Sequence, residues 1–131
     1  MARGNISNTG TGVLVLLLGL ICLMAVVQGK EWIVGESKGW SEGVNDIWPA
    51  GRHIHAGDTL VFNYDPTIYD VAEVDEVLYN ACMVPDGAVR HKTGHDHIQI
   101  PECKTGGCKH FFIVGLPGMC NAGMKVAITT E

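Results

Sequence analysis

From residue 30 onward, apolar side chains come in short runs broken by Gly, Pro and Asp. The runs are EWIV (31–34), TLVFNY (59–64), YDVAEV (69–74), HIQI (97–100), HFFIV (110–114) and KVAITT (125–130). Within the third, Val71 is apolar, Ala72 small, Glu73 charged and Val74 apolar. Short runs of this kind, spaced by turn residues such as AGD (56–58), predict an all-β sandwich or barrel. One stretch reads differently. DEVLYNAC (75–82) has its acids first and apolar Val77, Leu78 and Ala81 after them, which suits a short helix. No internal repeat, low-complexity linker or second domain interrupts the pattern.

The first 29 residues follow another rule. Arg3 is their only charged side chain, and 13–27 reads VLVLLLGLICLMAVV without a charge. Val27 and Gly29 are small enough for the −3 and −1 positions of a signal-peptidase site. A basic start, an apolar middle and a small-residue exit predict a secretory leader at 1–29 and a domain at 30–131. The apolar block is short for a bilayer, which takes about 20 such residues.

Removing the leader changes the bulk properties. The whole chain has net charge −5; without Arg3 the domain carries 8 basic and 14 acidic side chains, a net charge of −6. With no basic run and no basic-aromatic stripe, nucleic acid is not an expected partner. Five cysteines become four, because Cys22 lies in the leader. Cys82, Cys103, Cys108 and Cys120 predict two disulfides in an oxidising compartment. Four cysteines allow three connectivities, and spacing alone does not choose among them. The one Asn-x-Ser/Thr sequon, Asn5–Ser7, is in the leader, so no N-glycan is expected on the domain. The sequence stops at MKVAITTE, and no lipid-anchor signal is expected. A soluble, monomeric, extracellular product without a membrane anchor is expected.

Three segments carry a family resemblance. VGESKGW (34–40) looks like the opening motif of the phytocyanins, the plant blue-copper proteins. HAGDTLVFNYDPTIYDV (55–71) resembles their central Gly-Asp turn, strand and Pro corner. FFIVGLPGMCNAGMKVAI (111–128) resembles their copper loop and closing strand. Together these span essentially all of 30–131. Without a Pro-rich stalk, the chain is most similar to the plantacyanin or basic blue protein branch, although its acidity departs from that name. The resemblance implies a cupredoxin-like Greek-key β-sandwich of seven or eight strands with one or two short helices. It also implies a disulfide between Cys82 and Cys120, which leaves Cys103 and Cys108 as a second pair. It implies a plant apoplast or cell-wall location.

The resemblance further places four copper-ligand positions at Tyr69, Val114, Met119 and Met124. A blue-copper site uses two imidazoles, a thiolate and a weak axial thioether. Of that set only the axial Met124 is kept. Cys120 adjoins the position of the second imidazole, but recruiting it would leave Cys82 unpaired, and a one-residue shift in extended chain reverses side-chain direction. A neutral phenol such as that of Tyr69 is a poor ligand without a strong metal already present. The two thioethers suit weak Cu(I) at most. The expected reading is an apolar plug in the old cavity, with Met filling the irregular space, and no copper cofactor.

His53 with His55, and His95 with His97, are spaced to share one face of extended chain. Two such imidazoles hold Zn²⁺ or Cu²⁺ loosely, yet no third ligand is evident, and solvated surface histidines are expected. His91 and His110 stand alone. For catalysis, Ser37 and Ser41 lie in no nucleophile-elbow pattern, and Asp75 and Glu76 fit an exposed helix start. The chain therefore reads as a non-enzymatic extracellular binding or structural module. Its partner would be a cell-wall glycan or protein. The alternative is an electron carrier like the copper-bearing members, which the residue at 114 argues against.

Overall fold

The computed structural model describes residues 29–131; apart from Gly29, the leader expected at 1–29 lies outside them. Seven strands form two sheets. β1 (Glu31–Ile33), β2 (Thr59–Asn63) and β5 (His95–Gln99) make the first, in the order β1-β2-β5. β3 (Val71–Val74), β4 (Arg90–His91), β6 (Lys109–Ile113) and β7 (Lys125–Thr129) make the second, in the order β4-β3-β6-β7. β1 runs parallel to β2, with Trp32 opposite Leu60. Every other pairing is antiparallel; Val61 faces His97 across β2 and β5, and Ala72 faces Ile113 across β3 and β6. The sheets close face to face on one core. Trp40 meets Phe62 edge-on at 5.1 Å between centroids, and Phe62 meets Phe112 at 5.3 Å, joining the two inner faces. This is the cupredoxin-like sandwich that the resemblance implies.

Two elements fall where periodicity gave no sign of them. The helix α1 (Val44–Ile47) is four residues long. A helix so short is held by its surroundings rather than by propensity. Val44 is buried, Gly43 N–H donates to the Ala122 carbonyl at 3.1 Å, and Asn45 N–H donates to Gly123 O at 3.2 Å. β4 is two residues long and exists only as a partner for Val71 and Ala72. A 3-10 turn at Glu36–Lys38 completes the crossover from β1.

Boundaries also move. The strand expected over 97–100 begins at His95, because Asp96 takes an inward position. Its carboxylate is buried and accepts from Thr93 N–H at 3.2 Å, from the Thr93 hydroxyl at 2.6 Å and from the Tyr64 hydroxyl. An inward carboxylate with these partners is tolerated, and it hides the strand from an apolar pattern. Burial, then the neighbouring Asp96, pushes the Tyr64 phenol well above its ordinary range. The run expected from residue 69 forms a ladder only from Val71; 65–69 is a turn in which Asp65 O accepts from Ile68 and Tyr69.

The predicted helix over 75–82 is α2 (Glu76–Ala81). Asp75 caps it by accepting Leu78 N–H at 2.9 Å, and Cys82 ends it in the left-handed region at φ 52°. Tyr79 packs on Phe111 of β6 at 5.2 Å. Two disulfides are present. Cys82 joins Cys120 with a Cα separation of 5.6 Å, tying α2 to the loop before β7. Cys103 joins Cys108 at 6.0 Å, closing the loop between β5 and β6. Among the described residues no helix is long and apolar enough to cross a membrane.

Candidate metal centre

The four positions singled out by the resemblance lie at one end of the sandwich. Tyr69 leaves a turn fixed by Asp65, whose Oδ1 accepts from Thr67 N–H at 2.9 Å and from the Thr67 hydroxyl at 2.7 Å. Those two bonds hold the Asp65 carboxyl below its ordinary range. Val114 follows the last residue of β6, and its N–H donates to Met124 O at 3.3 Å. Met124 N–H donates to Met119 O at 3.0 Å, and Met119 N–H to Leu116 O at 3.2 Å. The loop from 114 to 124 is thus closed on itself before β7 begins.

Asp70 joins this loop to the Tyr69 turn. Its Oδ1 accepts Gly115 N–H at 2.6 Å, its Oδ2 pairs with Arg90 Nη1 at 2.9 Å, and its carbonyl accepts the Trp40 indole N–H at 2.9 Å. Glycine at 115 leaves room for this junction. A Cβ there would stand 2.5 Å from Arg90 Nη1 and 2.9 Å from Asp70 Oδ2. Sequence reasoning did not find the junction. Its members are separated by 20 and 45 residues, and an Asp beside a ligand position looks like any other charge.

The site is packed. Val114 is 3% exposed and Met124 fully buried; Tyr69 and Met119 are half-buried and rest against the core. Beside them opens a shallow groove of about 190 Å³, lined by Pro66, Thr67, Ile68, Tyr69, Asp70, Lys92 and Leu116. Ile68 is 51% exposed and Leu116 37% exposed on its rim. The side chains at the four positions offer a phenol, an isopropyl group and two thioethers.

The other histidines lie elsewhere. His53 Nδ1 is 2.6 Å from Glu131 Oε1, and His55 Nε2 is 3.9 Å from Glu131 Oε2, all on an exposed edge where Glu131 N–H donates to Ile54 O at 3.0 Å. His95 and His97 stand edge to face, with ring centroids 4.6 Å apart on the outer face of β5, and His95 Nδ1 meets Asn63 Oδ1. His91 Nε2 is 3.8 Å from Glu73 Oε2, and His110 Nε2 is buried without a hydrogen-bond partner. Among the described residues no three His, Cys, Asp or Glu side chains are grouped to hold a metal ion. Ser37 lies in the 3-10 turn, and the Ser41 hydroxyl donates to Gly39 O at 3.3 Å.

Known proteins place the chain in context. The plastocyanin-like domain family matches residues 40–124. The chain is 35% identical to a basic blue protein of Arabidopsis thaliana over 130 residues, covering 97% of this chain and 95% of that one. It is 35% identical to a chemocyanin of Lilium longiflorum, covering 98% of each. Among solved structures, cucumber basic protein, a blue copper protein, superposes with a TM-score of 0.70 at 36% identity, over 77% of this chain and 99% of that one. The two-sheet frame, the closed loop before the last strand and these matches agree: the chain belongs to the phytocyanin family of plastocyanin-like proteins.

Proposed function

We propose that this chain is a secreted, non-enzymatic phytocyanin that has given up type 1 copper and serves as an extracellular binding or structural module. Val114 carries the reading. A blue site depends on a thiolate at that position, and an aliphatic side chain, 3% exposed in the core, has no donor atom. The remaining donors do not fit the metal either. The sulfur of Cys120 is committed to Cys82, no imidazole stands at position 69 or 119, and two thioethers with a phenol are a poor set for Cu(II).

The preserved frame still presents a surface at this end. Exposed Ile68 and Leu116, the half-buried Tyr69 and the ammonium of Lys92 border the groove. An aromatic face among apolar and charged neighbours suits a cell-wall glycan or protein. The test begins with metal. The secreted protein, incubated with Cu(II) and then desalted, is expected to be colourless and free of stoichiometric copper. One bound copper with intense red absorption from a thiolate would overturn the reading and restore electron transfer as the function. The contact surface is tested by capture from cell-wall extract and by glycan-array binding. Leu116→Asp and Ile68→Asp are expected to abolish whatever is retained.

A further inference from the structure

Asp58 is a buried carboxylate surrounded by uncharged donors. It is 5% exposed. Its Oδ1 accepts the backbone N–H of Lys30 at 2.9 Å. Its Oδ2 accepts the Trp32 indole N–H at 2.9 Å and the His55 backbone N–H at 2.9 Å. Burial pushes the carboxyl up, but these hydrogen bonds, with a smaller electrostatic contribution from the His55 side chain, outweigh it and hold the group below its ordinary range. Among the described residues no Lys, Arg or His side chain forms an ion pair with it. The Lys30 ammonium lies over the Trp32 ring instead, 4.1 Å from its centroid. Buried carboxylates are ordinarily matched by a positive charge.

We infer that the matching charge is the α-ammonium of Lys30, made when the chain is cut between Gly29 and Lys30, and that Asp58 is the receptor for this new chain end. The inference rests on the leader reading of 1–29. Both residues flanking the bond are exposed. Hydrolysis adds one water across the amide: Gly29 leaves as a carboxylate, and the Lys30 nitrogen becomes a primary amine. Near pH 7 that amine takes a proton, because α-amino groups titrate at about 7.7–8.0. The nitrogen is already in place. Thr59 N–H donates to Lys30 O at 2.9 Å, and Asp58 Oδ1 is within hydrogen-bond reach. Cleavage therefore converts a neutral amide donor into a charged one at the same spot, adding the attraction of opposite charges to a hydrogen bond the carboxylate already accepts.

The uncut chain is cramped at this point. A Cβ on residue 29 would stand 2.2 Å from Gly57 O and 2.7 Å from Asp58 N, so only glycine passes there. Removal of Gly29 leaves the ammonium facing the carboxylate. The small residue that suits a peptidase and the small residue that suits the fold are the same one.

The full chain, expressed through a secretory pathway, tests this directly. Intact mass and N-terminal sequencing are expected to show a product starting at Lys30; a start elsewhere overturns the inference. Inserting Ser-Gly between Gly29 and Lys30 restores an amide at the Lys30 nitrogen while keeping glycine before it, with the start of that product checked by mass. Its Tm is expected to fall by about 4 °C or more relative to the parent. In an Asp58→Asn background the same insertion is expected to change Tm little. Equal Tm values in the parent background, or an equal fall in both, overturn the docking. Should Asp58→Asn fail to fold, the α-amine of the parent protein decides. Its acylation at pH 7 is expected to be about tenfold slower folded than in urea, because the held proton blocks the free amine; equal rates overturn the docking. Neither readout depends on copper, so both stand apart from the outcome of the copper titration.

Discussion

At position 114 an isopropyl group stands where the family resemblance places a thiolate, and at Asp58 a single carboxylate organises three donors. The first is a reading of the resemblance in the loop before β7. The second was legible only as part of a Gly-Asp turn, since two of its three donors come from residues 26 and 28 positions away. Its consequence is a pH dependence of known sign. The folded-state pKa of Asp58 lies below its ordinary value of 3.8. The stabilisation is therefore complete above that value and is lost as pH falls through the depressed folded-state pKa. Urea unfolding of the parent protein is expected to show this acid limb. Asp58→Asn loses at least one of the three acceptor bonds and is expected to cost about 1–3 kcal/mol at pH 7. It is also expected to flatten the acid limb. An unchanged slope below pH 4 (about) would assign the limb to other carboxylates.

Among the elements, those with a clean apolar face were readable. β2, β6 and β7 lie within a residue of where alternating runs place them, and α2 has its cap where the early acids pointed. Elements that owe their existence to distant partners were not. α1 depends on Ala122 and Gly123, β4 on β3, and the start of β5 on Tyr64 and Thr93 satisfying Asp96. The two disulfides also differ in reach. Cys82–Cys120 spans 38 residues and Cys103–Cys108 spans 5. Closing the longer loop removes more freedom from the unfolded chain, about 4 kcal/mol against about 2. Replacing Cys82 and Cys120 by Ala is therefore expected to destabilise more than the same replacement at Cys103 and Cys108, as read by denaturant midpoints. The first pair also anchors α2 against the loop at the metal end. Equal losses would mean that loop closure in the unfolded state does not set the ranking.

For the whole molecule, the phytocyanin frame holds together the positions where the resemblance places copper ligands. Positions 69, 114, 119 and 124 remain joined through Asp70–Gly115 and the bonds that close the loop. Tyr69→His, Val114→Cys and Met119→His together, with Met124 left alone, are expected to produce a coloured copper site, weaker than in copper-bearing relatives because supporting groups are not tuned to it. The metal-free triple variant places polar groups among buried neighbours and is expected to be less stable by roughly 1–3 kcal/mol. Optical and paramagnetic-resonance titration with copper is the measurement. A folded triple variant that takes up no copper would show that these are not the ligand positions. The loop closed by Cys103–Cys108 has a consequence of another kind. Between those cysteines the backbone is backed by two sulfur links, this one and Cys82–Cys120 around it. A protease that cuts beside the exposed Lys104 leaves β5 and β6 still joined through sulfur. Such a nick adds the mass of one water and releases nothing until a reductant arrives; a cut elsewhere between Cys82 and Cys120 is held by that one disulfide alone, whereas a cut in this hoop is held by both.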